Sequence, residues 1–533
     1  MSVRAWTLRS LVASAELRGV DPARLPDIPI EHICEDSRAV RRGSCFVAVR
    51  GTHSDGHAFI NHAIASGASA IIVSRSGAES AAVGAHAAVS AIGAPVREPV
   101  LVEVDDTRAA LSQLAATFWG VVEATRSGRL RLIGVTGTNG KSTTCCLIQS
   151  ILKAAGHPTA LLGTIRYDLI GEAVAADWTT PPATVLCESL ARAVRFGATH
   201  AVMEVSSHAL DQERCDGLTF TAGVFTNLTG DHLDYHHDAE SYLRAKKRLF
   251  DCLPGTAVAV VNGEDSASMR LVENCAARLI RYGLQAGALN VTARGLGVST
   301  SGTEYQLHLV SGVTPVHSAL IGRHNVMNTL AAAASAEALG ASPEQIRAGL
   351  EAVRVVPGRL QRVETNGAGF SVLVDYAHTD DALVNVLSVL RPLTRGRLIC
   401  VFGCGGDRDR TKRPRMAAAV ERFADIAVLT SDNPRTEDPA AIIEEVRAGF
   451  GRPGEGRACR IEIDVDRRSA IQRALASAAP GDTVLIAGKG HEDYQIIGRQ
   501  KFHFDDVEVA TAYVGHMASA ASPSMRRLGT HAT

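Results

Sequence analysis

The sequence has 533 residues, too many for one ordinary core and enough for roughly three or four domains. Hydrophobic residues make up 46% and charged residues 21%, an ordinary globular balance; with aromatics at 5%, the apolar mass must come from Ala, Val, Leu and Ile. Fifty-five basic and 56 acidic side chains leave a formal charge of −1, which argues against a nucleic-acid or polybasic membrane role.

From residue 1 to 127, short apolar runs such as Ser44–Val49 and Ala70–Val73 alternate with Ala-rich segments, and the polar run Val122–Arg129 reads as a linker. From 128 to 356 a strand over Leu130–Thr136 opens a series of buried-type runs, Ala201–Val205, Ala222–Phe225 and Ala257–Val261, separated by helical patterns. Ala331–Leu339 is strongly helical. From 357 to 516, Ser371–Val374, Leu398–Phe402, Ile426–Leu429 and Thr483–Ile486 predict a second doubly wound sheet. Residues 517–533, rich in Ser and Ala, predict a disordered tail. The fold class is therefore α/β, in three domains, with ligands expected beyond the carboxyl ends of the strands.

No apolar run reaches signal-peptide or membrane-spanning length. The eleven cysteines are odd in number and form no CxxC or CxxH pair, so they read as reduced thiols. The expectation is a cytoplasmic protein without membrane insertion.

Gly134-Val-Thr-Gly-Thr-Asn-Gly-Lys-Ser-Thr-Thr144 follows the first strand of the middle region. Gly137 and Gly140 let backbone N–H groups turn toward an anion, and the following helix adds its positive end. Lys141 can reach β- and γ-phosphates, and the Ser142 hydroxyl can bind Mg²⁺. Gly134 falls one residue too early for the strict Walker A spacing, so Gly137–Thr143 is a tighter variant. The bland alternative is a Gly-rich turn with a chance Lys. The string GTNGKST resembles the ATP loop of the Mur ligase and folylpolyglutamate synthetase superfamily, which implies an ATP-dependent amide ligase.

Two further segments follow strands. In Glu204-Val-Ser-Ser-His208, a carboxylate at a strand end suits Mg²⁺, against a plain helix-capping cluster. Thr226-Asn-Leu-Thr-Gly-Asp-His232-Leu-Asp-Tyr-His-His237 places His232, His236 and His237 close together; zinc lacks an HExxH or Cys partner, and a surface His cluster is the commoner reading. On the helix that follows, Tyr242, Lys246 and Phe250 share one face, where such a Lys usually snorkels to solvent. The Mur resemblance implies more: carbamylated Lys246 supports a second Mg²⁺, with Glu204 and His232 completing the metal sites. A neutral amine is needed to capture CO₂, and burial beside cations favours one.

The same resemblance extends from about Glu35 to Phe504 and implies a uridine-binding first domain, a central P-loop domain and a Rossmann-like third. It assigns a UDP-muramoyl dipeptide to Glu35 and Ser37 of Glu35-Asp-Ser-Arg38, and to Thr52, His53 and Ser54. Thr179, Thr180, Ser206, Gln212 and Arg214 complete that set, Thr and Arg suiting phosphates and carboxylates. Trp178 occupies a position where enteric relatives are expected to have Asn. The ATP set is Gly137, Thr138, Asn139, Gly140, Lys141, Ser142, Thr143, Asn325, Arg359 and Asp375.

Asp432-Asn-Pro434-Arg435 follows the strand Ile426–Leu429 and is ordinary turn chemistry when read alone. By resemblance it marks the family member that adds meso-diaminopimelate, with Arg408, Gly488 and Glu492 as further contacts. Arg435 can fork onto a distal carboxylate that lysine lacks. The implied reaction forms an acyl phosphate on the D-glutamyl γ-carboxylate, which the diaminopimelate amine then attacks, in peptidoglycan precursor synthesis. Lys141, Lys246 and His232 carry the catalytic roles, with two Mg²⁺ and ATP, in an expected monomer. The rivals are a lysine-adding ligase of the same family and a non-catalytic nucleotide-sensing P-loop protein.

Overall fold

The computed structural model describes residues 5–51, 54–76, 98–230, 232–285, 287–451 and 459–521. A four-stranded parallel sheet, His32–Cys34, Ser44–Val47, Ala70–Ser74 and Val100–Val104, forms the first layer. The central sheet has eleven strands. Its parallel heart runs, edge to edge, Thr159–Leu162, His200–Glu204, Arg131–Thr136, Ala222–Phe225, Val258–Asn262 and Arg278–Gly283. The third sheet places Ser371–Asp375, Thr483–Ala487, Leu398–Phe402, Ile426–Leu429 and Arg460–Ile463 side by side and parallel, with antiparallel Gln361–Val363 at one edge.

The inner parallel strands are buried along nearly their whole length because helices cover both faces, so they read in sequence as continuous apolar runs, whereas the edge strand Arg460–Ile463 is largely exposed. The helix Arg323–Ala338 buries Ala331–Ala334 and Ala336 completely against the helix Lys141–Ala154. Small side chains let the two approach closely, which clamps the start of the phosphate-loop helix.

Strand order does the work of assembly. Arg131–Thr136, which delivers the phosphate loop, lies between His200–Glu204 and Ala222–Phe225. All three point the same way, so the segments after Thr136, Glu204 and Phe225 leave one edge together. In the third sheet, the segments after Asp375, Ala487, Phe402 and Leu429 do the same.

Two expectations are corrected, and one feature is new. Val122–Arg129 is not a polar linker: Val121–Arg126 is helical, because Val121 and Ala124 bury against the core while only the other face is polar. The expected tail begins inside a helix, Asp506–Ala521, whose Met517 packs on the third-domain core; residues 522–533 lie outside the described residues. An antiparallel extension, Val291–Ser299, Gly302–His308 and Val313–Ser318, widens the central sheet. Its strands alternate buried and exposed positions and lack the continuous apolar signature. All eleven cysteines are free. Among the described residues no helix is long and apolar enough to cross a membrane.

The C-terminal helix is tied down by a bidentate ion pair with no solvent exposure on either side: Arg467 Nε and Nη2 donate to Asp506 Oδ1 and Oδ2 at 2.8 and 2.7 Å. Arg467→Met is expected to destabilise the protein by about 3–5 kcal/mol, because it strands a buried carboxylate. Urea denaturation measures this, and a loss under about 1 kcal/mol would show the pair to be dispensable.

Candidate active site

The phosphate loop is shaped by two glycines in backbone conformations closed to other residues. Gly137 has φ +148° and Gly140 φ +85°. A Cβ at Gly137 would overlap Thr226 Oγ1, and one at Gly140 would overlap Asn328 Oδ1. The loop leans on its neighbour strand: Thr138 N donates to Asn227 O at 2.8 Å and Asn139 N to Asn227 Oδ1 at 2.9 Å. No side chain caps the helix Lys141–Ala154, so its first-turn N–H groups remain directed at an incoming anion. The Lys141 ammonium donates to Gly137 O and Thr138 O, both at 2.9 Å.

A cavity of about 470 Å³ opens above this loop, lined by Thr138–Thr143 together with Thr179, Glu204, His232, Asn325, Arg359, Asp375 and His378. Glu204 is 2% exposed, and among the described residues its carboxylate oxygens accept only from Thr164 N, at 2.8 Å, and Thr164 Oγ1, at 3.0 Å. Among the described residues no cation pairs with it. A buried carboxylate without a cation fits a metal ligand. Ser142 is buried beside it along the cavity wall.

Lys246 does not snorkel. The helix Ala239–Asp251 buries Tyr242, Leu243, Ala245, Lys246, Leu249 and Phe250 along one stripe. Lys246 is 1% exposed; its Nζ donates to Gly137 O at 3.0 Å and stands 4.3 Å from the centre of the Tyr242 ring. Of the three histidines of this segment, His232 and His237 are exposed and only His236 is buried. His236 is buried with Nε2 2.9 Å from Ser207 Oγ, and the His208 ring lies 4.9 Å from that of His232. His232 sits at φ +57°, which turns it toward the cavity lining. Among the described residues no group of three His, Cys, Asp or Glu side chains is arranged for a metal.

The third domain closes onto this cavity. Arg359 Nη2 reaches Ser142 Oγ at 3.4 Å, and Asn139 Nδ2 donates to Asp381 Oδ2 at 3.1 Å. Asp375 accepts from Leu360 N at 2.6 Å and Ala377 N at 2.8 Å; burial pushes its carboxyl up. Asn325 spends its amide on Ile321 O and Asn328 Nδ2, which fixes both Asn side chains beside the loop.

On the other side of Glu204, Thr180 Oγ1 bridges Glu204 O and Ser206 N. Arg214 donates to Thr180 O at 2.7 Å and to Gln212 Oε1 at 2.7 Å, and Gln212 in turn donates to Tyr235 OH. Burial holds the Arg214 guanidinium below its ordinary value. Glu35 accepts from Thr184 Oγ1 at 3.0 Å, which joins the first domain to the second; burial pushes its carboxyl up. Ser37 is buried in a turn, and Ser54 is exposed with its carbonyl accepting from Gly51 N. Neither lines the cavity. Thr52 and His53 lie outside the described residues. Trp178 is 44% exposed and contributes its carbonyl, which accepts from Tyr167 OH at 2.7 Å.

The third sheet's edge gathers Arg408, Asp432, Asn433, Pro434, Arg435, Gly488 and Glu492. Arg435 Nη1 donates to Gly406 O at 2.8 Å, and its backbone at φ +51° bonds to Ile496 O. A Cβ at Gly405 would meet Arg435 Nη1 at 2.9 Å and Arg408 Cγ at 3.9 Å, so the two arginines flank this glycine. Burial, then the like charge of Arg408, lowers the Arg435 guanidinium. Asp432 and Glu492 face them. Asn433 Nδ2 donates to Glu492 Oε2 at 3.0 Å, while its Oδ1 accepts from Lys489 Nζ and Ile496 N. With both lone pairs of Oδ1 used, Asn433 holds Glu492 and has none left for a further donor. Gly488 is required because a Cβ there would press on Asp432 Oδ2 at 2.7 Å. Tyr376 OH, 3.4 Å from Glu492 Oε1, belongs to both this edge and the cavity above Gly137–Thr143.

Thr164, Asn227, Tyr376 and Lys489 were missed from sequence. A lysine between two glycines directly after a buried strand was the one available signal, for Lys489.

Three family models cover most of the chain: the Mur ligase family catalytic domain over residues 29–119, the Mur ligase middle domain over 135–336 and the Mur ligase glutamate ligase domain over 358–490. The chain belongs to the Mur ligase family. It is thus an ATP-dependent ligase that joins an acid to an amino acid. Among similar curated proteins is the UDP-N-acetylmuramoyl-L-alanyl-D-glutamate–2,6-diaminopimelate ligase of Geobacter metallireducens, 45% identical, covering 91% of this chain and 94% of that one. That of Gloeobacter violaceus is 43% identical over 95% and 97%. A solved ligase of the same description matches with a TM-score of 0.65 at 32% identity, covering 95% and 99%. A folylpolyglutamate synthase from Mycobacterium tuberculosis, at 19% identity and a TM-score of 0.56, shares only the fold.

Proposed function

We propose that this Mur ligase adds meso-2,6-diaminopimelate to the D-glutamate of UDP-N-acetylmuramoyl-L-alanyl-D-glutamate, in the cytoplasmic synthesis of peptidoglycan precursor. The observation that carries the choice of amino acid is the pairing of opposite charges at one sheet edge: Arg408 and Arg435 flank Gly405, and Asp432 and Glu492 stand across from them. A doubly headed amino acid satisfies both. Lysine brings a distal ammonium but no carboxylate and would leave a half-buried guanidinium without an anion.

ATP phosphates lie on Gly137–Thr143, where Lys141 exchanges its two carbonyl partners for phosphate oxygens. Asn325, Arg359 and Asp375 hold the nucleoside side. Ser142, Glu204, His232 and Lys246, the last as its carbamate, hold two Mg²⁺, which supply positive charge where two anions must meet. The unpaired buried carboxylate of Glu204 supports this fit. Glu35, Ser37, Thr52, His53, Ser54, Thr179, Thr180, Ser206, Gln212 and Arg214 bind and orient the UDP-muramoyl dipeptide.

A γ-carboxylate oxygen of the D-glutamate attacks the γ-phosphorus and ADP departs, leaving an acyl phosphate. The neutral amine nitrogen attacks the acyl carbon, inorganic phosphate leaves, and the new amide nitrogen gives up a proton. Lys141 and Arg359 stabilise the phosphoryl charge. Closure of the third domain keeps water from the acyl phosphate.

Competition between diaminopimelate and L-lysine at equal concentration tests the reading. Diaminopimelate is expected to be favoured by about 10⁴-fold in kcat/KM. Equal incorporation of lysine would refute it, and phosphate release indifferent to both would point to a nucleotide sensor.

A further inference from the structure

Beneath the charged edge of the third sheet lies an ammonium that the reaction does not use. Lys489 stands between Gly488 and Gly490, directly after the strand Thr483–Ala487, and is 0% exposed. Its Nζ donates to Asn433 Oδ1 at 2.9 Å and to Tyr494 O at 2.6 Å. It also stands 3.5 Å from Asp432 Oδ1 and 3.8 Å from Glu492 Oε2. One cation thus ties together the loop after Ile426–Leu429, its own loop and the hairpin strand Tyr494–Ile497.

We propose that Lys489 is a positioning residue for amino-acid selection, holding Asp432, Asn433 and Glu492 in the arrangement that receives the distal ammonium. This deepens the reading above and rests on the amino acid being doubly headed.

Two features support it. The first is the orientation of Asn433. Because Lys489 and Ile496 N both donate to Oδ1, the amide N–H₂ must face Glu492, to which it donates at 3.0 Å. Without the lysine only Ile496 N holds that orientation, and the amide is less firmly kept from presenting its oxygen to the carboxylate. The second is charge. Asp432 and Glu492 lie close enough that Asp432, after burial, pushes the Glu492 carboxyl up. A fixed ammonium between them offsets one of the two negative charges and leaves one for the substrate. At 3.5 and 3.8 Å it acts through space on both acids and leaves their lone pairs open. Folding of this region has its own anchor in the Arg467–Asp506 pair.

The test is steady-state kinetics on the full chain with Lys489→Gln, which keeps a donor but removes the charge, and Lys489→Met, each alone and combined with Glu492→Gln. The expected result is a KM for diaminopimelate raised about 10- to 100-fold, with the KM for ATP and for the UDP-muramoyl dipeptide within about twofold. The combined variants should lose less than the product of the single effects, since Lys489 acts through Glu492. An unchanged diaminopimelate KM, a parallel rise in all three KM values, or multiplicative effects in the combined variants would overturn the proposal. Wild-type enzyme that does not use diaminopimelate would instead refute the substrate assignment, a result visible before any variant is made.

Discussion

Arg435→Ala is expected to lower kcat/KM for diaminopimelate by about 10²–10⁴-fold while ATP binding stays near the wild-type level. The guanidinium is half buried at a sheet edge, where burial and the adjacent Arg408 already penalise its charge. Such a group gains strongly from an anion, and two parallel N–H···O bonds to a carboxylate are the natural remedy. Arg435→Lys supplies the control. It keeps the charge and the left-handed backbone but not the fork, and should recover only a minor part of the activity. ATP affinity, read by titration calorimetry, separates the two sites. Equal losses for ATP and diaminopimelate would remove Arg435 from the amino-acid site.

Lys246→Ala should reduce turnover by about 10³-fold or more, as loss of a preorganised charge at a phosphoryl centre does. Formate or acetate in millimolar amounts is expected to restore part of it by standing in for a carbamate. The side chain is fully buried and its nitrogen lies 3.0 Å from Gly137 O, at the root of the loop Gly137–Thr143. A purely structural lysine at this point would give a variant that no small carboxylate rescues. Intact-protein mass spectrometry at neutral pH offers a second readout, because a carbamate adds the mass of CO₂ and is lost on acidification.

Much of the fold was legible from the chain. Ala222–Phe225, Leu398–Phe402 and Ile426–Leu429 are strands with the bounds the apolar runs indicate. Strands buried on both faces cannot hide, because every residue along them must be apolar. Elements with one wet face were harder. Val121–Arg126 looked like linker because one of its three buried positions, Thr125, is itself polar and the others sit beside Glu123 and Arg126. The hairpin strands Gly302–His308 and Val313–Ser318 alternate, and their polar half reads as loop. Lysines misled for a related reason. Lys246 and Lys489 are ordinary surface residues by composition, and only the backbone carbonyls and carboxylates gathered around them make burial tolerable.

By itself the sequence determined which chemical groups follow which strand: the glycines and Lys141 after one, Glu204 after another, Asp432 to Arg435 after a third. That information is local, because a loop must begin where its strand stops. Only the tertiary structure decided which strands are neighbours, and hence that Glu204 and Thr226 flank the phosphate loop, that Arg359 meets Ser142, and that Asn433 turns its amide to Glu492. Pairing between strands distant in sequence depends on packing of whole faces, which no short stretch of residues encodes.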